Sequence, residues 1–116
     1  MTESEILFSE AEALATRLAK SRLYGEYRRL KAEIDADPAL SRRMSTYKQT
    51  HVEHEKKRML NTSVSFEDEQ IISHMYTALR MHDIAGPFLR AEEELLVLYS
   101  RIYETITEAC DIPVPI

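Results

Sequence analysis

In 116 residues this chain has only two glycines and four prolines, and every proline falls where a helix could begin or where the chain could leave its last one. With so little to interrupt them, long helices are the expected element. Asp37-Pro38 sets a side-chain acceptor ahead of a residue whose fixed φ and missing N–H suit a first helical turn. Gly86-Pro87 offers the same logic for a last helix, and Pro113 and Pro115 mark a non-helical tail over 111–116. Asn61-Thr62-Ser63-Val64-Ser65 is a polar break, after which Ser65 and Asp68 approximate a capping box, with Glu67, Asp68 and Glu69 at the positive end of a helix dipole. Helices are therefore predicted at 4–36, 38–60, 66–82 and 87–110. No stretch alternates with the period of a strand. The expected fold is all-α: an antiparallel bundle of about four helices with a long first helix, a single domain over 1–116, completed by dimerisation.

The need for a second chain comes from periodicity. At about 100° per residue, Leu7, Ala11, Leu14 and Leu18 share one face of the first helix, whereas Leu23, Tyr27, Leu30 and Ile34 share a face turned by roughly 150°. A straight helix would present two stripes to two places. Either it bends near Gly25 or its halves meet different partners, one of them in another chain. The last helix spreads Phe88, Leu95, Leu98, Tyr99, Ile102, Tyr103 and Ile106 over half its wheel and is expected to be central, with Tyr99 in the core. The second helix carries Leu40, Met44, Tyr47, His51, His54 and Arg58 along one stripe that begins apolar and ends polar, so its C-terminal half is expected to project or to line a wet interface. Leu7, Leu14, Leu18, Tyr47, His51, His54 and Arg58 are accordingly the candidate partner-contacting residues.

Charge divides the chain as well. Residues 1–37 carry eight acids and six bases, 38–66 two and six, and 67–116 ten and three. A basic second helix between acidic flanks suggests steering within the bundle or between copies. Arg42, Arg43, Lys48, Lys56, Lys57 and Arg58 form the only segment suited to nucleic acid. A sequence pI near 5.4 argues against direct nucleic-acid binding, leaving an RNA-binding helper as an alternative.

Little points to catalysis. His51 and His54 lie one helical turn apart and could reach one metal, but two ligands do not complete a site, and the repeated Glu-x-x-His motifs of di-iron bundles are missing. No cofactor is expected, and a metal-binding bundle remains an alternative. Glu92 falls near the apolar face of the last helix, where pairing or a hydrogen bond is its ordinary role. No phosphate-cradling glycine loop or nucleophile motif occurs, so no enzyme activity is expected. The lone Cys110 cannot form an internal disulfide and is expected to be buried as a small apolar side chain. The glutamate-studded start, and apolar runs no longer than Leu95-Leu96-Val97-Leu98-Tyr99, predict neither export nor membrane insertion and leave the cytoplasm as the expected location.

One resemblance runs through almost the whole chain. Leu18-Ala19-Lys20-Ser21 followed by Tyr24 and Tyr27, then Ile34, Asp37-Pro38 and Leu40, resembles the start of the YlbF/YmcA family of small helical regulators, in its short YheA-like branch. Tyr76, Leu79, Pro87, Ala91-Glu92, Leu95, Ile102 and Ile106 are similar to that family's closing helix. The resemblance implies an all-helical, non-enzymatic regulator or adaptor that acts through protein contacts. Its implied partners are a second copy or a related small helical protein. It also implies a link to bacterial developmental choices and to complexes that modulate an endoribonuclease. Two departures stand out: some family members carry C-terminal cysteines associated with an iron–sulfur cluster, where this chain has Cys110 alone, and Gly86 replaces the asparagine often found before the closing proline.

Overall fold

A computed structural model of the chain describes residues 1–111, and the tail expected around Pro113 and Pro115 lies outside the described residues. Five helices follow one another: α1 (Glu3–Ala19), α2 (Arg22–Asp35), α3 (Pro38–Met59), α4 (Phe66–Arg80) and α5 (Ala85–Ala109). Among the described residues there is no strand. The all-α fold is as expected; the single long first helix is not.

What divides that helix is a serine. The Ser21 hydroxyl donates to the Leu18 carbonyl (2.7 Å) and accepts the Tyr24 N–H (3.2 Å), so it closes α1 and opens α2 in one residue. An Asn/Ser/Asp-type side chain at such a junction offers the backbone an alternative to continuing the helix. The two apolar stripes therefore belong to two helices. The bend anticipated at Gly25 is not there: Gly25 sits inside α2, and an added Cβ would meet nothing within 4 Å. Gly25→Ala is expected to raise stability by about 0.5–1 kcal/mol, the usual helix-interior difference between the two residues. An unchanged or lowered denaturation midpoint would show that this position is covered by something else.

The remaining boundaries follow from local hydrogen bonds. Thr2 opens α1 with a capping box: the Glu5 N–H donates to Thr2 Oγ1 (3.1 Å) and the Thr2 N–H to Glu5 Oε2 (3.3 Å). The Leu40 N–H donates to Asp37 Oδ1 (3.2 Å) ahead of Pro38, and the Asp68 N–H to Ser65 Oγ (3.1 Å). Just past the end of α3, Asn61 has a φ of 55°, in the left-handed region that asparagine tolerates. There the Thr62 N–H reaches the Lys57 carbonyl (2.8 Å) and the Asn61 N–H the Arg58 carbonyl (3.1 Å). α5 starts two residues before the expected Pro87. His82 caps it, with Nδ1 accepting the N–H groups of Ile84 (3.0 Å) and Ala85 (3.2 Å).

The chain divides into two compact units, and α2 and α5 each contribute to both. The second unit, residues 29–89, holds nearly all the burial. Leu30 and Ile34 of α2, Leu40 and Met44 of α3, Leu79 of α4, and Ala85, Phe88 and Leu89 of α5 are its buried apolar residues. Within it α3 and α4 form an antiparallel pair, since Tyr47 meets Tyr76 (ring centroids 5.8 Å apart) while Arg58, further along α3, reaches back to Glu69 (3.6 Å). That ion pair joins the basic helix to the acidic segment after it. Its ends are half exposed, so it contributes at most about 1 kcal/mol.

The first unit comprises residues 1–28 and, among the described residues, 90–111. It is almost all surface. Ala91 is its single buried residue among those described, and α1 buries none. Tyr99, expected in the core, is 62% exposed, because nothing among the described residues covers that side of α5. Cys110 is likewise exposed rather than buried.

Candidate protein-interaction surface

Helices of this composition normally hide their apolar stripe, because each buried square ångström of apolar surface is worth about 25 cal/mol. α1 does not. Leu7 (60% exposed), Phe8 (68%) and Leu14 stand open to solvent, and Leu18 is half-buried. On α5, Leu96, Val97, Tyr99, Tyr103 and Ile106 are exposed as well. An apolar groove of about 420 Å³ runs between Ala15, Leu18 and Ala19 of α1, Tyr24 of α2, and Leu95, Leu96 and Tyr99 of α5. So much contiguous apolar surface is a mark of an interaction site.

The seven expected contact residues fall in both units. Leu7, Leu14 and Leu18 belong to the open face just described. Tyr47, His51, His54 and Arg58 belong to the second unit, where the structure gives them different surroundings. Tyr47 is half-buried and its ring lies against those of Tyr76 and His51 (6.1 Å). His51 is exposed, and Arg58 pairs with Glu55 (2.7 Å) and Glu69. His54 is only 6% exposed, so it is no contact residue of this chain's free surface. Otherwise the end of α3 has little to bury, as expected: Val52, Met59 and Leu60 stay exposed, and Arg58 reaches Glu69 of α4.

Metal chemistry gains no support from this geometry. One of the two histidines is buried and the other open, and among the described residues no group of three or more histidines, cysteines or acidic residues is placed to hold an ion. Glu92 is half-buried. No helix among the described residues is long and apolar enough to cross a membrane.

A second groove, of about 570 Å³, was not foreseen. It lies in the second unit between Ala39, Arg42, Arg43 and Thr46 of α3 and His74, Met75, Ala78 and Leu79 of α4. Residues 39, 42, 43 and 46 share one side of α3, and the helical spacing was the signal that could have found it. Arg42 and Arg43, part of the basic segment suited to nucleic acid, line this largely apolar trough.

Comparison with known proteins agrees with the all-α fold. A UPF0342 protein of Alkalihalophilus pseudofirmus is 22% identical over 102 residues, covering 88% of this chain and 86% of that protein. A UPF0342 protein of Symbiobacterium thermophilum is 23% identical over 109 residues, covering 94% and 97%. The fold is similar to that of a protein of unknown function (DUF964) from Bacillus stearothermophilus, with a TM-score of 0.80 at 10% identity over 89% of this chain and 90% of that one. It is also similar to a chain in the crystal structure of Bacillus subtilis RicA in complex with RicF, with a TM-score of 0.62 at 23% identity over 92% and 95%. The family model described as control of competence regulator ComK, YlbF/YmcA, matches residues 7–111, and the chain belongs to that family.

Proposed function

We propose that this protein is a non-enzymatic adaptor of the YlbF type, built to be completed by a second copy of itself and to present the resulting assembly to further proteins. One observation carries the reading: α1, a helix of 17 residues, contains Leu7, Phe8 and Leu14 and buries none of them. An amphipathic helix left this open in one chain finds its burial in another. The solved complex of RicA with RicF, a structure of similar fold, supports a role through protein contacts. Modulation of a ribonuclease-containing complex, or of a developmental decision in a bacterial cytoplasm, is the process that the family membership favours.

Sedimentation at micromolar concentration tests the first step. The wild-type chain is expected to run as a dimer or larger, and Leu96→Glu/Tyr99→Glu on the exposed side of α5 is expected to run as a monomer with unchanged helix content. A wild-type monomer under these conditions would end this reading.

A further inference from the structure

The groove between α3 and α4 has a shape and a charge that point to its occupant. Its lining includes the small side chains Ala39, Thr46 and Ala78, which let another backbone come close. Arg42 and Arg43 border it and have no acidic partner among the described residues, although the chain as a whole has an excess of acids, 20 against 15 bases. Guanidinium groups beside an apolar trough select an apolar stripe edged with carboxylates.

The chain contains such a stripe and leaves it uncovered. On α1, Leu7, Ala11 and Leu14 lie along one side, and at about 100° per residue Glu3 and Glu10 fall along one edge of it. Glu3 and Glu10 have no ion pair or hydrogen bond among the described residues. We propose that the α3–α4 groove is the seat for the acidic N-terminal half of α1 from a second copy of this chain. The inference rests on the self-association proposed above and names the contact that would hold it. The same stripe facing the same groove in both directions makes a closed two-fold pair, whereas contact in one direction only would lead to open chains.

Exchange of charge tests it in the full-length protein. Arg42→Glu/Arg43→Glu makes the groove acidic against the acidic edge of α1, and Glu3→Lys/Glu10→Lys makes that edge of α1 basic against a basic groove. Each variant alone is expected to self-associate about tenfold or more weakly than wild type, since each sets like charges across the contact. Mixed in equal amounts, the two variants are expected to recover association, because each groove then meets an α1 of opposite charge. Both variants lie on exposed surface, and circular dichroism confirms that each is folded. Wild-type association that neither variant weakens, while Leu96→Glu/Tyr99→Glu abolishes it, would overturn the groove as the seat and leave the adaptor reading standing. Weakening by both variants without recovery on mixing would also overturn it. A wild-type monomer would overturn both. If the Arg42→Glu/Arg43→Glu variant loses binding to a single-stranded RNA oligomer while self-association is unchanged, the trough serves phosphates and the proposal fails.

Discussion

Leu79→Ala is expected to destabilise the fold by about 2–5 kcal/mol, the range for removing a fully buried leucine side chain. Leu79 is 2% exposed on α4, in the unit that holds almost all the burial of the chain. The lower end of the range applies if the surrounding helices close over the gap, and the upper end if the cavity persists. Urea denaturation followed by circular dichroism, at one fixed protein concentration, measures it. A loss under about 1 kcal/mol would place Leu79 outside the core. Fixed concentration matters because a self-associating chain gains stability by mass action. Tyr99→Ala makes the useful contrast. Helical periodicity alone would assign it a comparable loss, but Tyr99 is 62% exposed, so its truncation is expected to act on association and to leave the fold of the second unit intact.

Gly86→Ala is the second large effect, and it has the opposite sign from Gly25→Ala. Neither glycine has a positive φ, so backbone conformation does not separate the two sites. Space does. A Cβ at Gly25 meets open solvent, whereas a Cβ at Gly86 runs into the carbonyl oxygen of Arg80, a backbone atom at the end of α4 that cannot swing away. The turn between α4 and α5 is also fastened from within. The Gly86 N–H donates to the His82 carbonyl (3.0 Å), and His82 Nδ1 holds the N–H groups of Ile84 and Ala85. Making room for a methyl group therefore means moving the whole corner, at about 1–3 kcal/mol for an overpacked site. A thermal midpoint equal to wild type would show that the corner gives way easily. Gly86 thus admits the close approach of its backbone to the end of α4.

Much of this architecture is legible in the chain. Asp37-Pro38, Asn61 and Ser65 announce their helix ends because capping is a bargain among residues three or four apart, which a sequence displays directly. The change of apolar face between Leu18 and Leu23 is legible as well, and its cause is Ser21, with its hydroxyl between Leu18 and Tyr24, rather than Gly25. His82 as the cap of α5 was harder to see, since histidine is not among the usual N-terminal caps. The trough bordered by Arg42 and Arg43 required the pairing of α3 with α4, which brings residues some thirty positions apart into one surface.

Residue order by itself thus determined that the chain is helical, where most helices start and stop, and which side of each is apolar. These follow from hydrogen bonds and a 3.6-residue period that act within a few residues. Only the tertiary structure decided which apolar sides are filled. Leu40, Leu79 and Phe88 lie in the core and Leu7, Phe8 and Tyr99 in the open, although the pattern along each helix treats them alike. The physical reason is that periodicity gives a side chain its direction and only a neighbouring helix can remove it from water; among the described residues of the single chain, no helix covers Leu7, Phe8 or Tyr99.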